Sequence, residues 1–298
     1  MEFPKDFTSN ILEVYGAEGK AWLAELPLLL QKVSQRWKLQ SLVLVNNLSF
    51  NFVARVTMEN GVKAILKMGP AGADYSRETL WLSSYQGLAP QVLVFDHDLN
   101  AFFMEELNPG QTLQGLTISG HDEEATRGVA RLIKSLYVDH QVNVPPHIQH
   151  LAELISSFRF LDGVMEKKIL DKGIAIYREL SQPSSEDVFL HGDLHHDNIL
   201  LSGTEWKIID PHGYIGDKVS EVGSMIYNPL DWSPSGSLKA FILRRLDVLY
   251  EELPFDSQRI RAWAFAKTML SIAWSFEGGQ RIPPRELAIA QIIDEVID

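Results

Sequence analysis

Short runs of apolar and β-branched residues, separated by polar turns, dominate the first third of the chain. They occupy residues 42–45, 52–58, 62–68, 91–95 and 101–107. Asn60-Gly61, between the second and third runs, is a strong signal for a two-residue hairpin turn. A stretch with helical spacing near residues 75–86 separates the third run from the fourth. The pattern predicts an antiparallel sheet with one inserted helix.

Helical periodicity governs the rest of the chain. Ahead of the sheet, residues 17–38 predict a helix with a kink at Pro27. Beyond about residue 108, Ala125, Val129 and Leu136 lie on one face of another predicted helix. Further helices are predicted near residues 147–161, 163–181, 235–252, 257–276 and 285–297. The strands predicted at 198–202 and 205–210 are the only β insert expected in this part of the chain.

The β-rich and helical parts meet at residues 106–112, ELNPGQT, whose Pro-Gly pair is a turn signal. We therefore expect an α+β protein with two lobes, a small antiparallel β lobe and a larger, mainly helical lobe. The N-terminal lobe is predicted to comprise residues 1–107, including the first helical segment. The C-terminal lobe is predicted to comprise residues 108–298.

Charge and cysteine content restrict the classes of partner and chemistry. The formal net charge is −12, and nucleic acid is not expected as a partner because phosphate backbones require clustered Lys and Arg. An acidic protein suits a cationic ligand instead. The chain has no cysteine, which excludes disulfides, thiolate metal sites and cysteine nucleophiles.

Neither a secretion signal nor a membrane segment is predicted. The N-terminal MEFPKDFTSN lacks the basic and apolar regions of a signal peptide. The apolar run LPLLL, residues 26–30, is far too short to span a bilayer. We expect a cytoplasmic protein with no membrane partner.

Residues 191–198, HGDLHHDN, place three histidines and two aspartates within one short segment. Histidine and carboxylate ligands suit zinc, iron or manganese. Asp193-Leu194-His195 also has the D-x-H pattern of dinuclear metallophosphoesterases, which need a second and separate ligand set. Asp96-His97-Asp98 is the only other such cluster, and it lies in the predicted small lobe. A metal-dependent phosphoesterase remains an alternative that this pattern favours less.

The same segment fits phosphoryl transfer. Asp193 and Asn198 have four residues between them, the D-x-x-x-x-N spacing of a kinase catalytic loop. Asp210 follows the predicted hairpin, so Asn198 at its entry and Asp210 at its exit can converge. An amide oxygen and a carboxylate are ligands that Mg²⁺ prefers. Asp193 then remains available to meet an acceptor hydroxyl.

A kinase also needs a lysine for the ATP phosphates and a glutamate that holds the lysine. Lys67 lies near the end of the third predicted strand. Glu78 lies on the following predicted helix, on the same face as Trp81, Leu82 and Tyr85. A carboxylate on an apolar face needs a partner, and we expect Lys67 to be that partner.

A glycine-rich phosphate loop is missing. The segment LVLVNNLSFNFVARV, between the first two strands, has no G-x-G-x-x-G motif. Asn46, Asn47 and Ser49 are the residues expected to form a tight turn and donate hydrogen bonds there. The chain also lacks G-x-x-x-x-G-K-[ST], so a P-loop kinase is not supported.

Three stretches of sequence carry a resemblance to a known family. They are VFLHGDLHHDN at 188–198, IDPHGYIGD at 209–217 and IYNP at 226–229. They resemble the aminoglycoside phosphotransferases, and within that group the aminoglycoside 6-phosphotransferase/hydroxyurea phosphotransferase branch. The order of elements resembles the family over roughly residues 40–280, and the specific motifs lie within 188–229. The resemblance implies a protein-kinase-like two-lobed fold.

The resemblance also implies the chemistry of the site. Asp193 would be the catalytic aspartate, and Asn198 and Asp210 would bind Mg²⁺. Lys67 would touch the α- and β-phosphates of ATP, with Glu78 positioning it.

Supporting roles follow from the same resemblance. The backbone from Glu105 to Leu107 would form the hinge that binds adenine. His191 would tie down its loop, and Asp217 would brace the loop after the metal site. Glu221 stands where relatives often carry an aspartate, so its role is not implied.

The expected reaction is ATP-dependent phosphorylation of a hydroxyl on a small molecule of cationic character. The resemblance implies that the acceptor is an aminoglycoside, and the 6-hydroxyl of streptomycin is the first candidate. A kinase for another metabolite, such as a hydroxyurea-like compound, sugar or amine, is the alternative. Candidate acceptor contacts are Glu277, Trp274, Asp231 and Trp232, although core packing for each Trp and solvated surface for each acid explain such residues better. The sequence predicts no oligomeric state.

Overall fold

The computed structural model describes residues 3–45, 48–73, 75–138, 142–143, 147–230, 232–277 and 281–297. The chain divides into two compact units, Met1–Gly110 and Gln111–Asp298.

The first unit is built on an antiparallel sheet of five strands in the order β1-β2-β3-β5-β4. The strands are β1 Ser41–Leu44, β2 Phe52–Thr57, β3 Lys63–Met68, β4 Val92–Asp96 and β5 Ala101–Glu105. The helices of this unit are α1 Lys5–Arg36, α2 Tyr75–Ser84 and the short 3-10 helix His97–Leu99. The antiparallel sheet with an inserted helix, predicted from the sequence, is confirmed.

The β2–β3 hairpin is also confirmed, but its predicted two-residue loop is wrong. The Met58 N–H donates to the Val62 carbonyl at 2.9 Å, so three residues, 59–61, form the loop. The Gly61 N–H donates back to the Met58 carbonyl at 2.9 Å. Gly61 has φ +79°, a conformation that glycine adopts without steric cost, as a three-residue loop requires at its last position.

Helix α1 begins earlier than the predicted segment 17–38. It runs from Lys5 to Arg36, and its one non-helical residue is Gly16, with φ 52° and ψ −123°. Pro27 lies inside the helix with helical backbone angles, so the break falls at Gly16 and not at the proline. The apolar pattern missed the first turns because they are mixed in polarity, although Phe7 and Ile11 are fully buried.

The second unit is mainly helical. Its helices are α3 Gln114–Ile118, α4 Asp122–Tyr137, α5 Lys167–Leu180, α6 Val222–Tyr227, α7 Leu238–Glu252, α8 Ser257–Glu277 and α9 Pro284–Ile297. Its 3-10 helices are Leu151–Leu161, His196–Asn198 and Lys218–Glu221. Helix α8 is buried on nearly every side from Trp263 to Ala273, so it forms the centre of this unit. Among the described helices, none combines the length and apolar character needed to cross a bilayer.

Short strands accompany these helices. They are β6 Pro109–Thr112, β7 Val188–Leu190, β8 Ile199–Ser202, β9 Glu205–Ile208 and β10 Tyr214–Gly216. A three-stranded sheet has the order β6-β8-β9, and β7 pairs with β10 in a second, two-stranded sheet. The predicted single β insert was therefore wrong, because β7 and β10 have only three residues each and leave no readable alternation.

The predicted helix 147–161 is a 3-10 helix, Leu151–Leu161. Its buried residues Leu151, Leu154, Phe158 and Leu161 are three or four apart, and the three-residue spacing occurs on one face of both types of helix. His150 caps its start by accepting a hydrogen bond from the Ala152 N–H at 3.0 Å. Periodicity alone could not distinguish the two helix types.

Candidate active site

The segment between β7 and β8, residues 191–198, holds the residues predicted for catalysis, and we call it the HGD loop. It ends in the 3-10 helix His196–Asn198. His195 caps this helix through its Nδ1, which accepts from the Asp197 N–H at 3.3 Å. The loop therefore leaves one strand and enters the next through a defined turn.

His191 connects the HGD loop to the strand that leads into Asp210. Its Nδ1 accepts from the Asp193 N–H at 3.1 Å, so its Nε2 carries the proton and donates to the Ile209 carbonyl at 2.8 Å. Burial lowers the pKa of His191 to about 4, and the ring is neutral near pH 7. Its contacts agree with the tethering role that the resemblance implied.

The Asp193 side chain is 25% exposed and lies next to His195. Burial by itself would raise the pKa of this carboxyl. Electrostatic attraction and a hydrogen bond from His195, and then electrostatic attraction from His212 and Lys267, outweigh burial and hold the pKa well below its usual range. Asp193 Oδ2 lies 3.5 Å from His195 Nε2. The aspartate is therefore an anion poised to accept a hydrogen bond.

Asn198 is oriented by the HGD loop itself. Its Nδ2 donates to the Asp193 carbonyl at 3.0 Å, which leaves the amide oxygen as its ligand atom. The Ile209 N–H donates to the backbone carbonyl of Asn198 at 2.9 Å. The β8–β9 hairpin therefore brings Asn198 beside the residue that precedes Asp210.

Asp210 has an exposed side chain and φ 64°, which is uncommon for a residue other than glycine. An amide oxygen from Asn198 and a carboxylate from Asp210 form a hard-oxygen donor set of the kind that Mg²⁺ prefers. Within the described ranges, no three His, Asp or Glu side chains lie together as a metal-binding group.

The remaining histidine of the HGD loop is buried. His196 is 0% exposed, and in the part of the chain that the structure describes neither of its ring nitrogens has a hydrogen-bond partner. Burial lowers its pKa well below the usual value, so it is a neutral core residue. A role in packing agrees with this environment.

A buried carboxylate lies behind the HGD loop. Glu221 Oε1 accepts from the Tyr137 hydroxyl at 2.7 Å and from the Gly192 N–H at 3.1 Å. The Tyr137 oxygen in turn accepts from the His191 N–H at 2.9 Å. Burial raises the pKa of Glu221, and these hydrogen bonds oppose the rise. Glu221, to which the sequence assigned no role, therefore anchors the HGD loop through Gly192 and Tyr137.

Asp217 also supports this region. Its Oδ2 accepts from the Trp263 Nε1 at 2.5 Å and from the Arg259 Nε at 2.7 Å, while its Oδ1 accepts from the Val219 N–H at 3.0 Å. The segment after β10 is therefore tied to α8, which agrees with the bracing role expected for Asp217.

A cavity of about 370 Å³ opens beside Asp193. Its walls are formed by Gln114, Asp193, His195, Asp197, His212, Tyr227, Asn228, Leu230, Ser271, Trp274 and Ser275. We call it the Asp193 pocket. A larger cavity of about 730 Å³ lies between the 3-10 helix Leu151–Leu161 and α5, and none of the residues predicted for catalysis lines it.

The four candidate acceptor contacts differ in placement. Trp274 lines the Asp193 pocket, and its ring contacts that of His212 at a centroid distance of 6.3 Å. Glu277 is exposed at the end of α8, and Trp232 packs against Phe241 at 5.5 Å. Asp231 lies outside the described residues.

In the first unit, Lys67 and Glu78 form a buried ion pair. Lys67 Nζ lies 2.9 and 2.8 Å from the two carboxylate oxygens of Glu78, and both residues are less than a tenth exposed. Lys67 sits on β3 opposite Val53 and Phe102. The predicted pairing is present, while its contact with ATP stays a prediction.

The other predicted nucleotide contacts lie near the end of β5. Glu105 is its last residue, and the Glu105 N–H donates to the Gln91 carbonyl at 2.9 Å. Leu107 follows and is 8% exposed. In the expected phosphate loop, the Ser49 carbonyl accepts from Asn10 Nδ2 at 3.3 Å. Asn46 and Asn47 lie outside the described residues.

Comparison with known proteins places the chain in a family. Residues 36–279 match the sequence profile described as aminoglycoside/hydroxyurea antibiotic resistance kinase. The chain belongs to this kinase family. The assignment confirms the branch that the motifs of residues 188–229 indicated, and it makes the protein a member of a phosphotransferase family.

Two relatives show how far the likeness extends. A streptomycin 6-kinase from Streptomyces griseus is 27% identical over 93% of this chain and 92% of its own. A hydroxyurea phosphotransferase from Kitasatospora aureofaciens is 25% identical over 98% of this chain and 86% of its own. The similarity therefore covers both units.

The fold has close counterparts among solved structures. Choline kinase LicA from Streptococcus pneumoniae superposes with a TM-score of 0.63, covering 92% of this chain and 99% of that one at 14% identity. The likeness confirms the predicted α+β, protein-kinase-like fold.

The sequence did not identify two residues that contact the HGD loop of this kinase. Tyr137 is the last residue of α4, and Lys267 lies within the buried part of α8. A signal existed for Lys267, since it is the only charged residue of the apolar segment 263–273. A lone charge in such a segment indicates a specific partner.

Proposed function

We propose that this protein is an ATP-dependent kinase that transfers the γ-phosphoryl group to a hydroxyl of an aminoglycoside, with the 6-hydroxyl of streptomycin as the first candidate. Such a reaction inactivates the antibiotic. The observation that carries the proposal is the ionised Asp193 at the wall of a pocket, hydrogen-bonded through its backbone to Asn198, in a chain of this kinase family.

Asp193 would accept a hydrogen bond from the acceptor hydroxyl and take its proton as transfer proceeds. Its low pKa keeps it ionised at neutral pH, which suits orientation of the hydroxyl. Asn198 and Asp210 would hold Mg²⁺ through their side-chain oxygens. When bound, the ion supplies positive charge to the phosphate oxygens.

We assign nucleotide binding to the first unit. Lys67, held by Glu78, would contact the α- and β-phosphates of ATP, because a lysine bound by a carboxylate in a buried site has a fixed direction. The backbone from Glu105 to Leu107 would bind adenine. We assign acceptor binding and the Mg²⁺ ligands to the second unit.

The Asp193 pocket suits a cationic, hydroxyl-rich acceptor. Two of its wall residues, Asp193 and Asp197, are carboxylates, and Trp274 offers an aromatic surface. Streptomycin carries guanidinium groups, which bind carboxylates through paired hydrogen bonds. The relative named streptomycin 6-kinase supports this acceptor. We place the reaction in the cytoplasm, where ATP is supplied.

Hydroxyurea is the second candidate acceptor. It is favoured by the relative named hydroxyurea phosphotransferase, which is similar along nearly the whole chain. Hydroxyurea is small and uncharged, so it would occupy only part of a 370 Å³ pocket.

The deciding experiment measures ADP formation by the purified protein with Mg²⁺, ATP and one acceptor at a time. Streptomycin, hydroxyurea and choline form the panel, and the product is mapped by mass spectrometry and NMR. We expect streptomycin-dependent ADP formation with phosphate on the 6-hydroxyl. ADP formation at the acceptor-free rate with every acceptor would contradict the proposal. Ester hydrolysis with Mn²⁺ or Zn²⁺ and without ATP would support the phosphoesterase alternative instead.

A further inference from the structure

Lys267 is a lysine in the buried middle of helix α8. It is 2% exposed, and its neighbours on α8 from Trp263 to Ala273 are buried with it. Burial lowers the pKa of its ammonium, and the charges of Asp193 and Glu221 oppose that shift. A charged group in such a place needs polar partners.

Its main partner is the backbone of the HGD loop. Lys267 Nζ donates to the Gly192 carbonyl at 2.6 Å. That carbonyl belongs to the same peptide group as the Asp193 N–H, which donates to His191 Nδ1 at 3.1 Å. Both polar ends of the peptide group that precedes Asp193 are therefore held by buried side chains.

Gly192 makes this restraint necessary. It has φ +86°, and a Cβ added there would lie 2.6 Å from Tyr214, so only glycine fits. Glycine restricts its own backbone least of all residues, and the direction of the following peptide must be imposed from outside. Gly223 allows this approach, since a Cβ there would lie 2.2 Å from the Lys267 Cβ.

The same face of α8 also forms a wall of the Asp193 pocket. Ser271, Trp274 and Ser275 follow Lys267 at intervals of four, seven and eight residues, which place them on one side of the helix. Lys267 Nζ lies 5.7 Å from the centre of the Trp274 ring. One face of α8 therefore forms part of the pocket wall and also holds the peptide group that precedes Asp193.

We propose that Lys267 is a positioning residue for phosphoryl transfer, which orients Asp193 by holding the Gly192 carbonyl relative to the pocket wall. The inference rests on the proposed kinase function. Misplacement of a reacting group by about 1 Å can cost about 100-fold in rate. Loss of Lys267 therefore lowers kcat and leaves the KM values nearly unchanged.

Charge neutralisation is the competing explanation. The charges of Asp193 and Glu221 both act on Lys267. Removal of a buried positive charge destabilises a protein when it leaves nearby negative charges uncompensated. Lys267→Met removes the donor and keeps the length of the side chain. Glu221→Gln keeps an oxygen that can accept from Tyr137 and Gly192, and it removes the charge.

The test compares Lys267→Met, Glu221→Gln and the double variant, with Lys239→Met as the matched control. Lys239 is exposed on α7 and pairs with Glu295. In the double variant we expect Tm to lie within a few degrees of that of Glu221→Gln. We expect its kcat to stay at least about 30-fold below that of Glu221→Gln, with KM values within about 3-fold of those of Glu221→Gln. A double variant whose kcat equals that of Glu221→Gln would overturn the inference, because neutralisation would then explain Lys267 fully.

Amide hydrogen exchange supplies a readout that needs no activity. We expect peptides covering residues 189–194 to exchange about 10-fold faster in the double variant than in Glu221→Gln, with the β8–β9 hairpin unchanged. Equal exchange in the two proteins would also overturn the inference. A wild-type protein that phosphorylates no acceptor would refute the proposed function, and the exchange data would still decide the role of Lys267.

Discussion

At the scale of single residues, the surroundings of a side chain set its chemistry. Burial raises the pKa of Asp193, but the opposing effects of His195, His212 and Lys267 are larger together and keep the carboxyl ionised. His191, two residues earlier, has its pKa lowered because burial opposes its charged form. One short loop therefore holds an anionic aspartate beside a neutral, tethering histidine.

The proposed role of Asp193 predicts a separation of binding from turnover. We expect Asp193→Asn to lower kcat by about 10²- to 10⁴-fold, because a neutral amide cannot take the proton of the acceptor. The dissociation constant of Mg·ATP should change by less than about 3-fold. Steady-state kinetics and calorimetric titration measure the two effects. Asp171→Asn, in the exposed pair of Asp171 with Lys167, is the control. Turnover near the wild-type rate would remove Asp193 from the mechanism.

The neutral, buried His191 predicts that stability falls in mild acid. Its folded pKa is about 4 and that of an unfolded histidine is about 6.5, so the unfolded chain binds more protons between these values. The free energy of unfolding should therefore decrease as pH falls from about 6.5 to about 4, by roughly 3 kcal/mol at most from this residue. Below about pH 4 this contribution becomes constant.

Urea denaturation at several pH values measures this effect. His191→Gln should show a weaker pH dependence over the same range, whereas His121→Gln, at an exposed position, should keep the wild-type dependence. His196, whose pKa burial also lowers, contributes a dependence of the same sign that both variants retain. A wild-type slope in His191→Gln would contradict the assignment.

At the scale of elements, the pairing of strands decides which residues of the site become neighbours. The β8–β9 hairpin pairs Ile199 with Ile208, so the residues flanking it, Asn198 and Ile209, become neighbours. His191 spans from the HGD loop to the same point through the Ile209 carbonyl. Two proposed Mg²⁺ ligands that are twelve positions apart in sequence are thereby held in one region by backbone pairing.

The β2–β3 hairpin predicts a measurable cost for a side chain at Gly61. This residue has φ +79° and no atom within 4 Å of an added Cβ, so the effect of Gly61→Ala is conformational alone. We expect a loss of about 1–2 kcal/mol in the free energy of unfolding, measured by urea denaturation. Gly115→Ala, within α3 and equally uncrowded, should be neutral or stabilising because alanine favours helices. Equal effects of the two substitutions would show that the turn tolerates alanine.

At the scale of the whole molecule, charge governs encounters. The net charge of −12 attracts cations over distances that salt screens. If the acceptor is cationic, kcat/KM for it should fall several-fold as NaCl rises from about 0.05 to about 0.5 M, with kcat changed less than about 2-fold. The kcat/KM for anionic Mg·ATP should show no such fall. A salt-independent kcat/KM for streptomycin would indicate that charge does not guide the acceptor.

Much of this protein was determined by local sequence. The short apolar runs of β1 to β5 and the helix periods were sufficient to predict an α+β protein, because burial repeats with the period of each element. The motif block of residues 188–229 carried the resemblance that implied the kinase-like fold and the family. The Lys67–Glu78 pair also followed from the sequence, since a carboxylate on an apolar helix face needs a nearby cation.

Tertiary structure alone decided the rest. Strands of three residues, the break at Gly16 and the 3-10 form of Leu151–Leu161 depend on partners that local periodicity does not report. Lys267 and Glu221 are distant from Gly192 in sequence, and only folding brings both to its peptide groups. The sequence determined which residues are candidates for phosphoryl transfer. Packing around α8 decided which buried charges contact the HGD loop, because a charge buried in the core is stable only beside partners that the fold supplies.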